Sequence, residues 1–357
     1  MFYPLKFEPV YKDYIWGGRN LSRLGKKLPD GIVAESWEVS CHPDGTSIIA
    51  NGEFKGLPLP ELIKRFGRSV MGSALSGKDM EKFPLLVKFI DANDNLSVQV
   101  HPDDSYAHEH ENGEYGKNEM WYIMSAEPGA RLIYDVSPGT DRKVFEEAVK
   151  AGTVESCLKT VEVAPGDAIN IPSGLVHAIG KGIMLAEVQQ NSNSTYRVFD
   201  YNRLDKNGNQ RPLHIEKALD VIDFNSAGRK EKYRGLEVIC SSGFTKRYLV
   251  VNRYFSVELY AVDGTAVEGA YGDRFFIYTF IEGSGEILYK EGSLEVCAGE
   301  SVLIPASLGA YSLAGRVKAL KSYVPDIRRD VVAPLAENGY TMEDIYQHVG
   351  GFEPLQE

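Results

Sequence analysis

Two stretches of the chain repeat one another, and this internal repeat limits the possible folds more than any other feature of the sequence. APGDAINIPSGLVHAIG at residues 164–180 matches CAGESVLIPASLGAYSL at 297–313, since both contain Gly, an acidic residue, four further residues and then Pro. A second pair matches EMWYIMSAEPGARLIY, which begins at Glu119, with RFFIYTFIEGSGEILY, which begins at Arg274. All four segments have the strand-turn-strand patterning of β-structure, so the repeat predicts two related β-barrel units.

The rest of the chain has the same β-rich character, with short strand-like runs that include LLVKFI, VESCLKTVEV and SVLIPA. Helical periodicity is confined to four short segments: ELIKRFGRSVMG, DRKVFEEAVKAG, LHIEKALDVIDF and TMEDIYQHVG. A length of 357 residues also favours two domains. The predicted fold is therefore mainly β, with two jelly-roll barrels and a few short peripheral helices. We predict an N-terminal catalytic domain at residues 1–225 and a C-terminal domain at residues 226–357.

Composition and charge argue against several kinds of partner. A formal net charge of −11 opposes binding to nucleic acid, although a local basic pocket can still hold one phosphate group. No apolar run approaches the roughly 18 residues that a membrane-spanning helix needs, and the N-terminus lacks the pattern of a secretory signal. The four cysteines are widely spaced, which argues against a disulfide framework or a thiolate zinc site. The sequence predicts a cytoplasmic protein.

Four side chains could bind a metal ion together. Gln99 and His101 are two residues apart in the strand-like segment LSVQVH, so both leave the same face of a sheet. Glu119 begins the strand-like segment EMWYIM, and His177 follows a Pro-Ser-Gly turn. Two imidazoles, a carboxylate and an amide oxygen suit zinc or another late first-row divalent ion, with a coordination position left for water or substrate.

The segment GDAINIPSGLVH carries the second half of the cupin barrel signature, Gly-Asp-x4-Pro-x-Gly-x2-His, and its histidine is His177. A competing metal motif has the spacing of an ordinary cupin site and consists of His108, His110 and Glu114. We prefer Gln99 and His101, because HEHENGEYG lacks strand character and lies in a polar, Gly-punctuated stretch typical of solvated loops.

The second unit lacks these candidate ligands. When the repeats are aligned, Glu119 falls opposite Arg274 and His177 falls opposite Ala310. The C-terminal domain is therefore predicted to be a degenerate cupin domain without metal ligands.

Five further residues could act on a phosphorylated substrate. Lys88 is on the strand before the ligand strand, Ser97 shares the face of Gln99, and Lys117 is two residues before Glu119. Glu187 and Arg197 follow in GIMLAEVQQNSNSTYRVFDYNR. Alternation along strands would allow these side chains to converge on one pocket.

These residues resemble a known family, the type I phosphomannose isomerases, which are zinc-dependent mannose-6-phosphate isomerases of the cupin superfamily, here in the compact bacterial form. The resemblance covers about the first 200 residues, and the C-terminal third matches only as a degenerate cupin barrel. The segments that carry it are YKDYIWGG, AESWEVSCHPDGTS, FPLLVKFIDANDNLSVQVHPDD, GKNEMWYIM, APGDAINIPSGLVHAIG and AEVQQNSNSTYRVFDYNR.

The resemblance implies one zinc ion per chain and a role for each candidate residue. The implied roles are zinc ligands for Gln99, His101, Glu119 and His177, catalysis for Arg197, active-site positions for Lys117 and Glu187, and a phosphate-binding region at Lys88 and Ser97. Longer members of the family carry a helical domain inserted before the strand of the last histidine, and here only DRKVFEEAVKAG occupies that interval.

The implied reaction is the interconversion of mannose 6-phosphate and fructose 6-phosphate through an enediol. The base could be Glu187 or Lys117, and the only implied partner is the small-molecule sugar phosphate. Two rival functions are a non-catalytic cupin that binds or senses a sugar phosphate and an iron cupin oxygenase. The sequence leaves the oligomeric state open between a monomer and a homodimer.

Overall fold

We describe the fold from a computed structural model, which describes residues 2–75, 77–205, 207–226 and 228–353. The chain is mainly β, and the strands of these residues form three sheets. The first thirteen strands are β1 (Leu5–Glu8), β2 (Val10–Lys12), β3 (Glu35–Val39), β4 (Ile48–Ile49), β5 (Leu85–Ala92), β6 (Val98–Val100), β7 (Glu119–Ala126), β8 (Arg131–Val136), β9 (Leu158–Glu162), β10 (Ala168–Ile171), β11 (His177–Ile179), β12 (Ile183–Gln190) and β13 (Tyr196–Phe199). The others are β14 (Leu236–Ser241), β15 (Phe244–Val251), β16 (Ser256–Ala270), β17 (Phe276–Tyr289), β18 (Gly292–Cys297), β19 (Ser301–Ile304) and β20 (Gly309–Tyr323).

The N-terminal part is a sandwich of two antiparallel sheets. One sheet has six strands in the order β10-β7-β12-β5-β3-β2, and the other has five in the order β13-β6-β11-β8-β9. Ile90 of the first sheet and Leu132 of the second belong to one buried core between them. The mainly β, jelly-roll prediction is confirmed, although the units are sandwiches of open sheets rather than closed barrels.

The six-stranded sheet is also the middle layer of the molecule. Its other face, which includes Phe89, packs in a second core together with Leu320 of the C-terminal sheet. Strands β5 and β12 are consequently buried along their whole length. Burial on both faces explains why LLVKFI reads as a continuous apolar run rather than as an alternating one.

The C-terminal sheet has the order β14-β15-β16-β20-β17-β19-β1-β4, with β18 paired to β17. Its long strands β16, β17 and β20 line a third core rich in aromatic residues. Strands β1 and β4 come from the start of the chain, and Leu5 of β1 pairs with Leu303 of β19. An ion pair of 2.7 Å between Lys6 and Glu300 lies beside this pairing. The division at residues 225 and 226 stays a prediction, but the N-terminal segment clearly contributes to both sandwiches.

Short helices cover the outside of the sheets. They are α1 (Leu59–Phe66), α2 (Arg68–Met71), α3 (Gly77–Glu81), α4 (Asp104–His110), α5 (Arg142–Ala151), α6 (Ile215–Val221), α7 (Ala333–Glu337) and α8 (Met342–His348). All four predicted helical segments contain helix. Helices α5 and α6 cover the outer face of the five-stranded sheet, where Phe145 and Leu219 pack against Val98 and Val198. Within the described residues, no helix has the length and apolarity needed to cross a membrane.

Two local predictions were wrong. The segment that contains His108 and His110 is not a loop, because both residues belong to α4. Asp103 caps this helix by accepting a hydrogen bond of 2.8 Å from the backbone N–H of Tyr106. The segment VESCLKTVEV is not one strand either, since Val154–Cys157 forms a 3-10 turn before β9.

The duplicated segments occupy equivalent places in the two sandwiches, but with a different register from the sequence alignment. Ile171 pairs with Glu119, whereas Ile304, the matching residue before proline, pairs with Phe276. The structural counterpart of Glu119 is therefore Phe276. Arg274 precedes β17 and contacts Asp330 and the carbonyl of Val324 instead.

Candidate metal centre and its cavity

The four predicted ligands meet between the two N-terminal sheets. Gln99 of β6 and His177 of β11 are directly paired residues of the five-stranded sheet, and His101 follows β6 by one residue. Glu119 begins β7 on the opposite sheet. His101, Glu119 and His177 form a cluster that could hold a metal ion, with ligand atoms all within 4.8 Å of one another. Each of these three residues is at most 1% exposed.

The two imidazoles face each other in a way that favours a cation between them. His101 Nδ1 lies 3.0 Å from the carbonyl oxygen of Ser194, and His177 Nδ1 lies 2.9 Å from that of Leu175. A carbonyl can only accept, so each Nδ1 must donate its proton and each Nε2 of a neutral ring must carry a lone pair. These two Nε2 atoms are 3.1 Å apart. Burial lowers the pKa of His177 and lowers that of His101 to about 3, so both rings are neutral at pH 7.

A carboxylate and an amide complete the donor set. His101 Nε2 is 3.2 Å from Glu119 Oε1, and His177 Nε2 is 3.9 Å from Glu119 Oε2. Neither Glu119 oxygen has a well-directed hydrogen bond to any described residue. The Gln99 amide nitrogen lies 3.3 Å from His177 Nε2, and turning this amide by 180° would present its oxygen instead. Facing lone pairs and unsatisfied carboxylate oxygens are the arrangement that a divalent cation would stabilise, so the residues fit a metal ion.

Lys117 lies beside the metal cluster. Its ammonium is 2.7 Å from Glu119 Oε1 and 3.1 Å from His101 Nε2, and the residue is 4% exposed. Burial alone would raise the pKa of Glu119, but the ammonium of Lys117 above all, with a further contribution from the adjacent His101, holds it well below its ordinary value. Glu119 is therefore ionised, as a carboxylate ligand must be.

A buried lysine lies between two glutamates next to this cluster. Lys88 Nζ is 3.2 Å from Glu187 Oε1 and 3.5 Å from Glu35 Oε2. Each glutamate also accepts a hydrogen bond from an indole, at 2.8 Å from Trp121 to Glu187 and at 2.6 Å from Trp37 to Glu35. These contacts fix the orientation of both carboxylates.

The pKa values of Lys88 and Glu187 are both raised, but by different causes. Burial opposes the charge of Lys88, but Glu187 and Glu35 outweigh it and raise its pKa. Burial and the nearby Glu119 charge raise the pKa of Glu187. Glu187 Oε1 also lacks a well-directed hydrogen bond to the described residues. A raised pKa makes Glu187 more basic than an ordinary carboxylate, which suits a proton acceptor.

Arg197 lies on β13, which pairs with β6 on the side away from His177 of β11. It pairs directly with Gln99 across β13 and β6, which brings their side chains to the same face. Its Nη1 donates a hydrogen bond of 2.8 Å to the carbonyl of Pro212, and its Nε is buried without a partner among the described residues. Burial and the neighbouring Arg211 lower the pKa of Arg197.

One cavity of about 210 Å³ connects these groups. Six of the predicted site residues line it: Lys88, Ser97, Gln99, Lys117, Glu187 and Arg197. The cluster of His101, Glu119 and His177 lies at the edge of this cavity. Two residues of the cavity lining contact the cluster, since Gln99 contacts His177 and Lys117 contacts His101.

Sequence reasoning missed several residues of the cavity wall: Tyr14, Trp16, Glu35, Trp121, Asn193, Thr195 and Arg211. Glu35 could have been found, because a charged residue inside the strand-like segment ESWEV needs a buried partner. Arg211 has no comparable signal, since it lies between β13 and α6 without any periodicity.

The competing motif does not reach this cavity. His108 and His110 are exposed on α4, and His110 stacks on Tyr106 with ring centres 4.1 Å apart. Glu114 instead pairs with Lys82 at 2.9 Å. None of these three residues is among those that line the cavity.

Comparisons with known proteins agree with this geometry. Residues 4–123 match the family model of the type I phosphomannose isomerase catalytic domain, and residues 245–324 match that of the mannose-6-phosphate isomerase cupin domain. The chain is 37% identical over 321 residues to mannose-6-phosphate isomerase ManA of Bacillus subtilis, covering 90% of this chain and 99% of the relative. It is 35% identical over 322 residues to mannose-6-phosphate isomerase of Streptococcus mutans, covering 90% and 98%.

Solved structures show the same likeness. The crystal structure of mannose 6-phosphate isomerase from Bacillus subtilis superposes with a TM-score of 0.81 at 36% identity, covering 89% of this chain and 99% of that one. A mutant of phosphomannose isomerase from Salmonella typhimurium gives a TM-score of 0.70 at 18% identity, covering 90% and 99%. At that identity the second structure supports the fold alone.

Proposed function

Because the chain belongs to the type I phosphomannose isomerases, we propose that it interconverts mannose 6-phosphate and fructose 6-phosphate. The observation that carries this proposal is the pair of neutral imidazoles whose Nε2 atoms face each other at 3.1 Å, beside Glu119 and at the edge of a cavity lined by Glu187 and Arg197. Aldose-ketose isomerisation needs a base and a group that stabilises the developing oxyanion, and a carboxylate with a raised pKa next to a metal site can supply both.

We propose that the metal ion is zinc, held by Gln99, His101, Glu119 and His177. The mixed nitrogen and oxygen donor set, with both histidines neutral, supports this choice. When bound, such an ion supplies a Lewis acid that polarises the sugar oxygens at the reacting carbons.

We assign the proton transfer between C2 and C1 to Glu187. The ammonium of the alternative base, Lys117, lies 2.7 Å from Glu119, a metal ligand in this proposal, so we assign Lys117 to that carboxylate instead. Glu187 Oε1 lies 3.2 Å from the ammonium of Lys88 but has no well-directed hydrogen bond to the described residues, and the indole of Trp121 holds the other oxygen. Removing the C2 proton gives an enediolate, O1 gains a proton to form the enediol, and O2 loses one as the first proton is returned to C1, which completes the conversion of the aldose into the ketose. Lys117 then serves as the cation that stabilises negative charge near the ligand Glu119.

Arg197, Lys88 and Ser97 bind the substrate in this proposal. Arg197 lies beside Gln99 and offsets negative charge that develops on the sugar oxygens. Lys88 orients Glu187 through their 3.2 Å contact and faces the sugar from the same cavity wall as Ser97. Its charge is already balanced by Glu35 and Glu187, which makes it a better partner for sugar hydroxyls than for a phosphate dianion.

We also propose that the enzyme works in the cytoplasm on a free sugar phosphate, without nucleic acid or membrane partners. Four unpaired cysteines and a net charge of −11 support this assignment.

A direct assay tests the proposal. The purified protein is assayed for interconversion of the two sugar phosphates as prepared, after treatment with a chelator, and after restoration with zinc. We expect turnover to disappear on chelation and to return with zinc. Protein that binds mannose 6-phosphate but never converts it, with or without metal, would instead be a sugar-phosphate binder or sensor.

A further inference from the structure

The cavity has two ends of different charge. At the inner end, three carboxylates of Glu35, Glu119 and Glu187 surround the two ammonium groups of Lys88 and Lys117. At the less buried outer end the guanidinium group of Arg211 lines the cavity, and the guanidinium group of Arg197 lies along the wall beside Gln99. They are close enough that the charge of Arg211 lowers the pKa of Arg197, after the effect of burial.

A buried aspartate holds Arg211 in place. Asp200, which is 5% exposed, accepts hydrogen bonds from Arg211 Nε at 2.7 Å and from Arg211 Nη2 at 2.5 Å. Arg203 donates to the same carboxylate at 2.6 Å. Burial alone would raise the pKa of Asp200, but the hydrogen bonds from Arg211 and Arg203 lower it, so the carboxylate is ionised. One carboxylate thus balances two guanidinium groups.

The donors of these two arginines are used differently. The Nε, Nη1 and Nη2 atoms of Arg203 all bond to protein groups, on Asp94, Asn95 and Asp200, and Arg203 does not line the cavity. Arg211 uses only Nε and Nη2, and its Nη1 has no hydrogen bond to the described residues. A guanidinium fixed on one edge by a carboxylate keeps its remaining donors pre-organised for an anion.

We infer that Arg211 binds the phosphate group of the substrate, an inference that rests on the proposed function. The reacting carbons C1 and C2 must lie at the inner end, next to Glu187 and the metal ligands. The phosphate on C6 is at the other end of the six-carbon chain, so it reaches the outer end of the cavity. There Arg211 offers positive charge that Asp200, which it shares with Arg203, does not fully balance, whereas Lys88 is already balanced by two glutamates.

The variant Arg211→Gln tests this assignment. We expect the KM for mannose 6-phosphate to rise roughly 10- to 100-fold, because a hydrogen bond to a charged group contributes that much to binding. The kcat should change less than about threefold, since the lost contact is present in both the ground state and the transition state. Inhibition by inorganic phosphate should weaken by a similar factor, while the metal content measured by mass spectrometry stays the same.

The matched control is Arg203→Gln, because Arg203 shares the Asp200 carboxylate with Arg211 but lies outside the cavity. We expect this control to leave the inhibition constant of inorganic phosphate within about twofold of the wild-type value, since no phosphate contact is removed. The conservative variant Arg211→Lys should recover part of the lost phosphate affinity, since lysine keeps the charge but loses the bidentate geometry.

Two results would overturn the inference. The first is inhibition by inorganic phosphate that Arg211→Gln leaves unchanged. The second is an equal weakening of phosphate inhibition by Arg211→Gln and by Arg203→Gln, which would mean that both residues act only through Asp200. Failure of the proposed function gives a different result. In that case the wild-type protein shows no isomerisation, while calorimetry with inorganic phosphate still reports whether binding depends on Arg211.

Discussion

The two sandwiches carry the same cross-strand pair of buried, oppositely charged residues, with the lysine and the glutamate exchanged. In the N-terminal sandwich Lys88 of β5 pairs directly with Glu187 of β12, and in the C-terminal sandwich Glu258 of β16 pairs directly with Lys321 of β20. All four residues are at most 5% exposed. The cross-strand pairing makes Lys321 the counterpart of Glu187, so a repeat that the sequence shows through Gly and Pro extends to the buried charges.

The positions of the metal ligands differ more strongly. His177 pairs with Gln99 in the N-terminal sandwich, and Tyr311 pairs with Glu268 at the matching place in the C-terminal one. Tyr311 has no capacity comparable to an imidazole for binding zinc, and Glu268 is engaged with Lys321 at 2.9 Å. Phe276 replaces Glu119, as the strand register shows. The C-terminal sandwich therefore offers no equivalent donor set among these positions.

The two sites differ in whether their buried polar atoms have well-directed hydrogen bonds. In the C-terminal core Lys321 donates to Glu268 and to Tyr260, Tyr260 donates to Glu268 at 2.7 Å, and Tyr323 donates to Glu258. In the N-terminal site both oxygens of Glu119 and one of Glu187 lack such bonds to the described residues. A closed network stabilises a core, whereas open polar atoms beside a cavity are available for a ligand. The same framework thus supports structure in one copy and chemistry in the other.

The largest effect on turnover is expected from replacing one of the candidate metal ligands in the N-terminal sandwich. His101→Ala should abolish metal retention and reduce turnover by about 10³-fold or more, because Lewis-acid stabilisation contributes several kcal/mol. Metal analysis and isomerase kinetics measure both effects. Arg197→Ala is the matched variant, which should lose turnover but keep its metal, since arginine is not a ligand.

A second control for His101→Ala changes His108 and His110 together to Ala. These residues are exposed on α4, so metal content and turnover should match those of the wild type. Metal loss in this double variant with retention in His101→Ala would reverse the choice between the two motifs.

A smaller effect, on stability rather than turnover, is expected from breaking the C-terminal pair. Lys321→Met leaves Glu258 and Glu268 buried without their cation, which should lower the free energy of unfolding by about 3 kcal/mol. Metal content and kcat of the folded protein should stay at wild-type values. Urea denaturation measures the first and kinetics the second. A fall in kcat without a fall in stability would contradict the separation of roles between the two sandwiches.

The smallest effect concerns the pH dependence of stability. Burial raises the pKa of Glu258 above its unfolded value of 4.5, so the folded state binds a proton more tightly and stability falls as pH rises through this window. Glu258→Gln removes this penalty, and its stability relative to the wild type should improve with rising pH by up to about 1 kcal/mol. Thermal unfolding between pH 4 and pH 7 measures the difference.

Glu268→Gln should show the opposite trend and serves as its partner variant. Burial alone would raise the pKa of Glu268, but Lys321 lowers it below 4.5. This carboxylate therefore adds stability above its unfolded pKa, and that stability is lost as pH falls through the folded pKa. The variant should lose stability relative to the wild type as pH rises. Parallel slopes for the two variants would contradict this difference between two carboxylates of one network.

Much of the fold was predictable because local signals and the final structure agree. Alternating and apolar runs predicted most strands, including LLVKFI at β5 and SVLIPA at β19, and amphipathic spacing predicted α5 and α6. Helix α4 was missed because its polar residues do not form an apolar stripe, although Asp103 after a proline is an N-cap signal. The register between repeats was also wrong, since matching glycines and prolines mark turns and do not determine which residues pair across strands.

The candidate site was predictable where its residues lie on strands. The two-residue spacing of Gln99 and His101 and the position of Glu119 at a strand start suffice to place them on facing sheets. The contacts of Lys88 were not predictable, because the carboxylate of Glu35 comes from a strand distant in sequence. The place of Arg211 in the site could not be predicted for a related reason, because only the folded loop brings Arg211 to Asp200.

The pairing of β1 with β19 has a consequence for how the chain acquires its structure. Leu5 and Lys6 are synthesised about 300 residues before their strand partners Leu303 and Val302. Such a distant contact gives a high contact order, and the entropy of closing so long a loop slows folding. The backbone groups of β1 that pair with β19 therefore stay unpaired until β19 has been synthesised and has joined the sheet. Truncation before β19 should leave this edge of β1 open to aggregation, even though every candidate ligand residue would still be present.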